Sequence, residues 1–435
     1  MDSNKKKIHH AWWILVSCCV VVGIGVGLYN NCVGLFFVPV CKDLHLSRSA
    51  LSSYMSILML AMFLSLGFTG KAYANINIRL LLSGSLLLLV GGFFVLSRAN
   101  SVMYWYVVGA FQGIGAGFFS TLAVPILISN WFKKRTGFAL GLALSFSGIG
   151  GAAFNPVIQF VITHYGWRNG YIAMGIIGIA IFVPFVFLIY LKPSDKGLQA
   201  YGAEEEDAQN VQVSGASQEL PGSSLGEALR TPSYYLILFS IVLLMIAAVF
   251  THHVPGYVAS LGYSPMIGAT VMSAAMIGII CGKVGLGVLN DKFGLRTAVV
   301  AGTLTGVLAI ALMLSGKVDV RIMYLAAFFY GAACIGFPVI MPPLILKSIY
   351  GLKQFASIYS YIAMAQCIMG AAGVALYGVI FDKTKSFSIG LMVAGVSTAL
   401  TLVLLLIAIN LGKKVIAGVA SPTKPKVKAE QTASV

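Results

Sequence analysis

The stretch MIGIICGKVGLGVLNDKFGLR, Met276–Arg296, is an apolar run interrupted by a single lysine, Lys283, eight positions before the next charge, Asp291. An apolar helix of about 20 residues is long enough to cross the hydrocarbon core of a membrane. At about 1.5 Å per residue, Lys283 lies about 12 Å along such a helix from Asp291, near the middle of the membrane. The stretch therefore predicts a membrane-spanning helix that carries one positive charge at depth.

Similar apolar runs recur along the whole chain of 435 residues, of which 58% are hydrophobic and only 10% charged. Water-soluble domains carry about 25% charged residues, so the composition indicates a membrane protein. Helices satisfy their backbone hydrogen bonds internally, and we therefore predict an all-α bundle. Twelve spans are expected, near residues 12–40, 49–72, 79–97, 102–129, 136–163, 169–191, 233–258, 265–290, 297–316, 321–346, 354–381 and 387–411.

The 29 lysine and arginine residues give a formal net charge of +16, which is also typical of nucleic-acid-binding proteins. With successive loops assigned to alternate sides, 20 of the 29 fall on the side of both termini, 8 on the other side, and Lys283 within a span. Positively charged loops stay in the cytoplasm, so both termini are predicted to be cytoplasmic, in a multi-pass protein of a bacterial inner membrane. This pattern explains the charge by contact with a lipid bilayer, with no nucleic-acid partner.

One long polar segment, residues 192–231, divides the chain and has the composition of a linker. We expect an N-terminal six-helix half at 1–191, a cytoplasmic linker at 192–231, a C-terminal six-helix half at 232–412 and a basic cytoplasmic tail at 413–435. The sequence GKAYANINIR between spans 2 and 3 is repeated as GVLNDKFGLR between spans 8 and 9. This internal repeat supports two related halves.

The second copy resembles the cytoplasmic loop motif of the major facilitator superfamily, which implies twelve transmembrane helices in two six-helix halves. In such a motif a small residue permits close helix packing, and a carboxylate and bases hold helix ends together in one conformational state. The resemblance assigns this gating role to Gly287, Asp291, Lys292, Gly294 and Arg296. In the first copy Ala74 replaces the Asp and Asn77 the second Gly, so a symmetric gate is not expected there.

Five further stretches are similar to the monocarboxylate transporters and the oxalate/formate antiporters within that superfamily. In chain order they are GLFFVPVCKDLHLSRSALS, NWFKKRTGFALGLALSFSGIG, YGWRNGY, HHVPGYVASLGYS and GVALYGVIFDKT. Each lies at the expected connection between spans. The resemblance implies a secondary transporter of small organic anions.

The charge of Lys283 has no acidic partner within the predicted spans, because all 13 acidic residues fall in loops or tails. A charged side chain at this depth usually faces a bundle interior or an aqueous cavity. We interpret Lys283 as the charge partner of an anionic substrate; the alternative is a lysine held by backbone carbonyls or kept neutral. Transporters of the similar families commonly carry an arginine at this position. A lysine cannot form the bidentate pair of hydrogen bonds that an arginine forms with a carboxylate.

Other polar residues in the spans are weaker candidates for substrate contact, because Asn and Gln often join membrane helices by hydrogen bonds. They are His252, Tyr29, Asn30, Asn31, Gln112, Asn155, Gln159, Tyr330, Tyr359 and Gln366. His252 and His253, at the end of span 7, are also the candidates for proton coupling, although histidines satisfied at the interface are an equally good reading. The oxalate exchanger has a lysine near Gln366, so one cation instead of two favours a monocarboxylate.

The predicted function is therefore secondary transport of a small organic anion by alternating access, with exchange favoured over proton symport. Monocarboxylate transporters that symport protons typically have an Asp at the position of Ile279, and this chain does not. Symport of a monocarboxylate stays as the alternative, and a drug exporter is less well supported because such exporters rely on a carboxylate in the membrane. An enzyme is not expected, and neither is a cofactor or a metal. We expect a monomer to be functional.

Overall fold

The structure is a computed structural model, which describes residues 9–121, 123–132, 135–202, 222–315, 319–351 and 354–419. These residues contain twelve helices that are long and apolar enough to cross a membrane, and no strand. The predicted all-α fold with twelve spans is therefore confirmed. Spans 1 to 6 form one half and spans 7 to 12 the other.

Each span of the first half is one helix or a series of helical segments in line. In chain order these are His10–Val22, Gly23–Leu28 and Gly34–Asp43 (span 1), Arg48–Asn75 (span 2), Ile78–Leu96 (span 3), Val102–Ala116, Gly117–Thr121 and Ala123–Trp131 (span 4), Thr136–Tyr165 (span 5) and Trp167–Val186 (span 6).

The second half repeats this arrangement. Its segments are Pro232–Val249, Phe250–His253 and Val254–Ser260 (span 7), Pro265–Phe293 (span 8), Leu295–Leu314 (span 9), Val320–Tyr330, Gly331–Ile335 and Phe337–Tyr350 (span 10), Phe355–Thr384 (span 11) and Ser388–Val419 (span 12).

The first and fourth span of each half are interrupted at mid-length. Gly23–Leu28, Gly117–Thr121 and Gly331–Ile335 are π-helical, and Phe250–His253 is a 3₁₀ turn. Such departures from the α-helix free or shift backbone hydrogen bonds, and they are frequent at functional sites. The same two positions are thus irregular in both halves, as an internal repeat requires.

The two ends of the bundle differ in what lies on them. At one end, which we call the linker end, His10 Nε2 donates to the carbonyl of Leu188 at 3.0 Å, next to the start of the predicted linker. Ser223 N–H donates to the carbonyl of Tyr350 at 2.8 Å, at the other end of that segment. The opposite end, which we call the distal end, carries Asp43 and the connections between spans 1 and 2 and between spans 11 and 12.

Both ends of the predicted linker, 192–231, are ordered and docked, each on its own half. Residues 192–202 include a 3₁₀ turn at Pro193–Lys196, and Tyr201 N–H donates to the carbonyl of Trp131 at 2.9 Å. Residues 222–231 include the helix Leu225–Leu229, which a capping box stabilises. Residues 203–221 lie outside the described residues. The helix of span 12 continues to Val419, into the predicted tail at 413–435, of which residues 420–435 are likewise not described.

Span 8 is positioned by glycines against its own half. A Cβ atom at Gly278 or Gly282 would meet the backbone of span 10, at the carbonyls of Phe328 and Ala332. Small residues let membrane helices approach this closely. Met276 and Ile280, on another face of span 8, lie against Gly148 of the other half, and Lys283 lies further along that face.

Candidate functional site

The two halves touch each other toward the distal end. Between spans 1 and 7, a Cβ atom at Gly34 would lie 2.5 Å from the carbonyl oxygen of His252. Between spans 5 and 8, Ser273 Oγ donates to the carbonyl of Ala152 at 2.8 Å. Among the described residues, a backbone carbonyl of one half is contacted by the other half between spans 1 and 7, between spans 2 and 11 and between spans 5 and 8. The distal end is therefore closed.

Spans 2 and 11 make the third of these contacts. Ser56 Oγ of span 2 donates to the carbonyl of Ala371 in span 11 at 2.5 Å. Ala371 is 3% exposed, whereas Met364, two helical turns nearer the linker end on the same face, is 41% exposed. The face of span 11 that contacts span 2 at the distal end is thus uncovered at the linker end.

Spans 5 and 8 diverge in the same way. Ser273 contacts span 5, but Val284, three turns on and on the same face of span 8, is 59% exposed. In span 5, Ala152 contacts span 8, and Ser145, two turns toward the linker end, is partly exposed. From this divergence we infer a cavity between the halves, closed distally and open toward the linker end.

Lys283 lies on span 8 on the linker side of the contact with span 5. Met276, two turns distal to it on the same helix face, packs between the halves, with its Sδ 3.1 Å from Asn31 Nδ2. Ile280, one turn beyond Met276, also lies against Gly148 of span 5, and Lys283 follows it toward the linker end, about 10 Å from Met276 along the axis. Its side chain is partly exposed, and it has neither a hydrogen bond nor an ion pair with any of the described residues. The cation is therefore available to a ligand.

The nearest acid along the helix, Asp291, belongs to the loop motif and is exposed. Asn290 Nδ2 donates to Asp291 at 3.2 Å, and Lys292 and Arg296 are also exposed. Gly294 has φ +83°, which favours glycine, where span 8 ends and span 9 begins. A Cβ atom at Gly287 would meet nothing within 4 Å. Among the described residues, no hydrogen bond or ion pair of this motif joins it to the other half.

The first copy of the motif has a role within its own half. Arg79 donates from Nε to the carbonyl of Ile189 at 2.9 Å and from Nη2 to that of Phe187 at 2.7 Å. A cation that binds the free carbonyls after a helix stabilises the helix end. Arg79 thus fixes the end of span 6, a role that the sequence alone did not indicate.

His252 and His253 lie in the distal closure, away from the open cavity. They are 4% and 1% exposed. The His253 Nε2 atom must donate, because its partner at 3.1 Å is the carbonyl of Val374. The other ring nitrogen, Nδ1, is buried with no partner among the described residues. The two rings are therefore shielded from solvent in this state.

The predicted candidates of span 1 divide between cavity and core. Asn30 and Asn31 are partly exposed, and Asn31 Nδ2 also donates to the carbonyl of Ser147 at 3.1 Å. Tyr29 is buried inside the first half, with its ring 4.8 Å from that of Phe93 and its hydroxyl against Gly178. Asn30 and Asn31 thus lie where a ligand in the cavity could reach them, whereas Tyr29 does not.

Two other candidates are bound within the helix bundle. Gln112 accepts from the Tyr54 hydroxyl and donates from Nε2 to the carbonyl of Leu89 at 2.8 Å. The Tyr330 hydroxyl donates to the carbonyl of Ala247 at 2.7 Å. Such contacts join spans inside one half.

Asn155 is fully buried in span 5. It donates from Nδ2 to the carbonyl of Gly151 at 2.6 Å, one turn earlier in its own helix. Its Oδ1 is buried without a partner among the described residues. The residue therefore keeps one unused acceptor beside the contact between spans 5 and 8.

Tyr359 and Gln366 lie in the part of span 11 nearer the linker end, and both are partly exposed. The ring of Tyr359 stacks on that of Phe355, with centroids 5.9 Å apart. Gln366 Nε2 donates to the carbonyl of Pro338 at 3.0 Å, which leaves its amide oxygen free as an acceptor. The structure thus groups Lys283, Asn30, Asn31, Tyr359 and Gln366 as the partly exposed candidates.

The comparison with known proteins agrees with this architecture. The Major Facilitator Superfamily profile matches residues 19–374. Monocarboxylate transporter 12 of Rattus norvegicus is 23% identical over 90% of this chain and 84% of its own length. The uncharacterized MFS-type transporter YhjX of Escherichia coli is 22% identical over 70% of this chain and 73% of its own.

Two solved structures have the same fold. A D-xylose-proton symporter superposes with a TM-score of 0.68 at 13% identity, covering 93% of this chain and 97% of its own. A bacterial homologue of the human lysosomal transporter Spinster, in an inward-facing and unoccupied conformation, has a TM-score of 0.65 at 13% identity, with 96% and 100% covered. The matched family and these relatives are transporters rather than enzymes. The chain is a multi-pass membrane protein that belongs to the major facilitator superfamily.

Proposed function

We propose that the protein carries a small organic anion, a monocarboxylate, across the membrane by alternating access. The observation that carries this proposal is Lys283, a cation beside the cavity inferred between the halves, with no anionic partner among the described residues. Leaving an ammonium unpaired at this depth costs a few kcal/mol. A bound carboxylate would offset that cost.

A single negative charge fits this cavity better than two. Lys283 is one cation, and Gln366, on the facing span of the same half, is neutral. Asn30, Asn31 and Tyr359 can orient a ligand by hydrogen bonds without adding charge. The similarity to proteins named monocarboxylate transporters supports the same substrate class.

Exchange is favoured over proton symport. An empty carrier must close the cavity around an uncompensated Lys283, whereas a carrier loaded with a monoanion closes around a neutral pair. The alternative, symport of a monocarboxylate with a proton, would use His252, His253 or Lys283 itself. Both histidines are buried in the distal closure, so a proton from the open cavity would not reach them in this state. A drug exporter is less well supported, since the carboxylates of the described spans, Asp43, Asp291 and Asp382, lie near helix ends.

We infer that alternating access results from a rocking motion of the half at 1–191 against the half at 232–412, which residues 192–231 connect. The linker end is assigned to the cytoplasm of a bacterial inner membrane, which places both termini and the tail at 413–435 there. The chain has its cavity within one copy, so a monomer is expected to suffice. Reporter fusions after residue 210 test the orientation, and activity of the reporter outside the cytoplasm would contradict it.

The substrate class is tested with the purified protein in proteoliposomes. Uptake of radiolabelled lactate, pyruvate, formate and acetate is compared with uptake of oxalate and of the neutral analogue lactamide. We expect saturable uptake of at least one monocarboxylate, competed weakly by oxalate and not by lactamide. Transport of lactamide as fast as of lactate would remove the basis for a charge partner and so overturn the proposal.

A further inference from the structure

A carboxylate of the second half caps a helix of the first half at the distal end. Asp382, in the last turn of span 11, accepts from the backbone N–H of Arg48 at 3.1 Å and from that of Ser49 at 2.9 Å. These residues begin span 2, and the first N–H groups of a helix have no partner within the helix. A carboxylate at that position also interacts favourably with the helix dipole.

The side chain of Arg48 is inserted into the second half beside this cap. Its Cζ lies 4.0 Å above the ring of Phe381 and 5.1 Å from that of Phe387, which are cation–π distances. A Cβ atom at Gly256 of span 7 would lie 2.5 Å from Arg48 Nη1. Glycine at this position therefore leaves the space in which the guanidinium lies.

One hydrogen-bond donor in this arrangement has no acceptor. Arg48 Nη1 is buried and has no hydrogen-bond acceptor in the part of the chain that the structure describes. An unpaired buried donor costs free energy, which opening of the distal end would recover by hydration. The adjoining cleft of about 570 Å³ is lined by the cationic Lys42 and Lys385, and by no carboxylate other than Asp382. No other lining residue could replace the cap.

We propose that Asp382 and Arg48 form a latch between the halves, which holds the distal end closed in this state and is released in each transport cycle. Both contacts cross from spans 2 to 11 and 7, so neither can persist when these spans separate. When the latch is closed, the Asp382 carboxylate caps span 2 and the Arg48 guanidinium is buried in the second half. The unpaired Arg48 Nη1 lowers the stability of the closed latch, so that the latch can open. This inference does not depend on which substrate the protein carries.

The test measures opening directly, without substrate. Ser52 of span 2 is fully buried against Gly378 of span 11. A Ser52→Cys variant, made together with Cys41→Ser to remove the thiol that lines the cleft, should react with a membrane-impermeant maleimide only when the two spans separate. The reagent is added on the distal side of reconstituted full-length protein, and the labelling rate is recorded.

In this background Asp382→Ala should raise the labelling rate about fivefold, the change in the open population that corresponds to losing a typical helix cap. The matched control is Asp319→Ala, because Asp319 caps span 10 within its own half, accepting from Arg321 N–H at 2.8 Å. That control should label at the parental rate. Parental labelling of Asp382→Ala, or equal acceleration by both variants, would overturn the latch.

A second pair of variants keeps the test decisive if Asp382→Ala does not fold. Gly256→Ala places a methyl group where Arg48 Nη1 lies, and it should also accelerate labelling. Its control is Gly91→Ala, since a Cβ atom at Gly91 meets nothing within 4 Å. If Gly256→Ala is labelled at the same rate as Gly91→Ala, the buried side chain of Arg48 does not help to hold the latch closed.

Discussion

Replacing Lys283 with glutamine should strongly weaken anion binding while leaving the fold intact. The ammonium has neither a hydrogen bond nor an ion pair with the described residues, so the substitution breaks no contact within them. It also removes the cost of holding a charge at depth. The melting temperature of Lys283→Gln in detergent is therefore expected to equal or exceed that of the unsubstituted protein.

The loss of affinity follows from the charge that the ligand no longer meets. A carboxylate about 4 Å from the ammonium gains about 4 kcal/mol at an effective dielectric constant of about 20. Net hydrogen bonds to charged groups are worth about 1.5–3 kcal/mol after desolvation. A loss of about 2–4 kcal/mol corresponds to a dissociation constant raised about 30-fold to 700-fold.

The assay is titration of the purified protein with the monocarboxylate that it transports best, combined with exchange in proteoliposomes. Lys283→Arg keeps the charge and should bind within about tenfold of the parent. Lys347→Gln is the matched control, because Lys347 is an exposed lysine at the linker end of the same half. Binding by Lys283→Gln within about threefold of the parent would refute the reasoning and return Lys283 to a structural role.

Three further results are expected. Gly34→Ala places a Cβ atom 2.5 Å from a backbone carbonyl of span 7 and should slow transport by opposing distal closure, whereas Gly84→Ala, in open space, should not; initial transport rates decide. Gln112→Leu leaves buried partners unsatisfied and should lower the free energy of unfolding by about 1–3 kcal/mol without changing substrate affinity, as thermal unfolding and titration will show. The hydrogen bond from Arg168 holds the pKa of the Asp43 carboxyl below its ordinary value of 3.8, so the ionised group stabilises the fold at neutral pH. Asp43→Asn should therefore lower the melting temperature at pH 7, and the difference should shrink as the pH falls through that lowered pKa.

The number and order of the spans could be predicted from the sequence, because each span is a long apolar run bounded by charges. The depth of Lys283 followed from the same pattern, since its distance from Asp291 along one helix is fixed by helix geometry. The loop motif also identified the repeat that makes two halves. These are local properties, which a sequence carries in the spacing of its residues.

Contacts between distant parts of the chain could not be predicted in this way. Gln112 and Asn31 are both polar residues in spans, yet one is bound inside its half and the other lies at the cavity. The difference depends on how each helix is rotated, which packing against other spans decides. The cap that Asp382 makes on span 2 joins residues at opposite ends of the sequence, so no local signal marks it.

The sequence pattern also did not predict that both ends of the segment 192–231 are ordered. Its polar composition is typical of a flexible linker, but Tyr201 contacts the ring of Trp12 and pairs with the backbone of Trp131. A few aromatic and backbone contacts are sufficient to order a polar segment whose own sequence favours no regular structure. Only the packing surface supplied by the first half made this docking possible.

The central claim is that a monoanion neutralises Lys283 so that the loaded carrier reorients faster than the empty one. Efflux of a radiolabelled monocarboxylate from preloaded proteoliposomes, with and without the same compound outside and at two pH values, tests it most directly. The account predicts that external substrate accelerates efflux several-fold at both pH values, and that an inward proton gradient drives no accumulation. If external substrate has no effect while the proton gradient drives accumulation, exchange is the wrong mechanism, and His252 and His253 become the residues to replace.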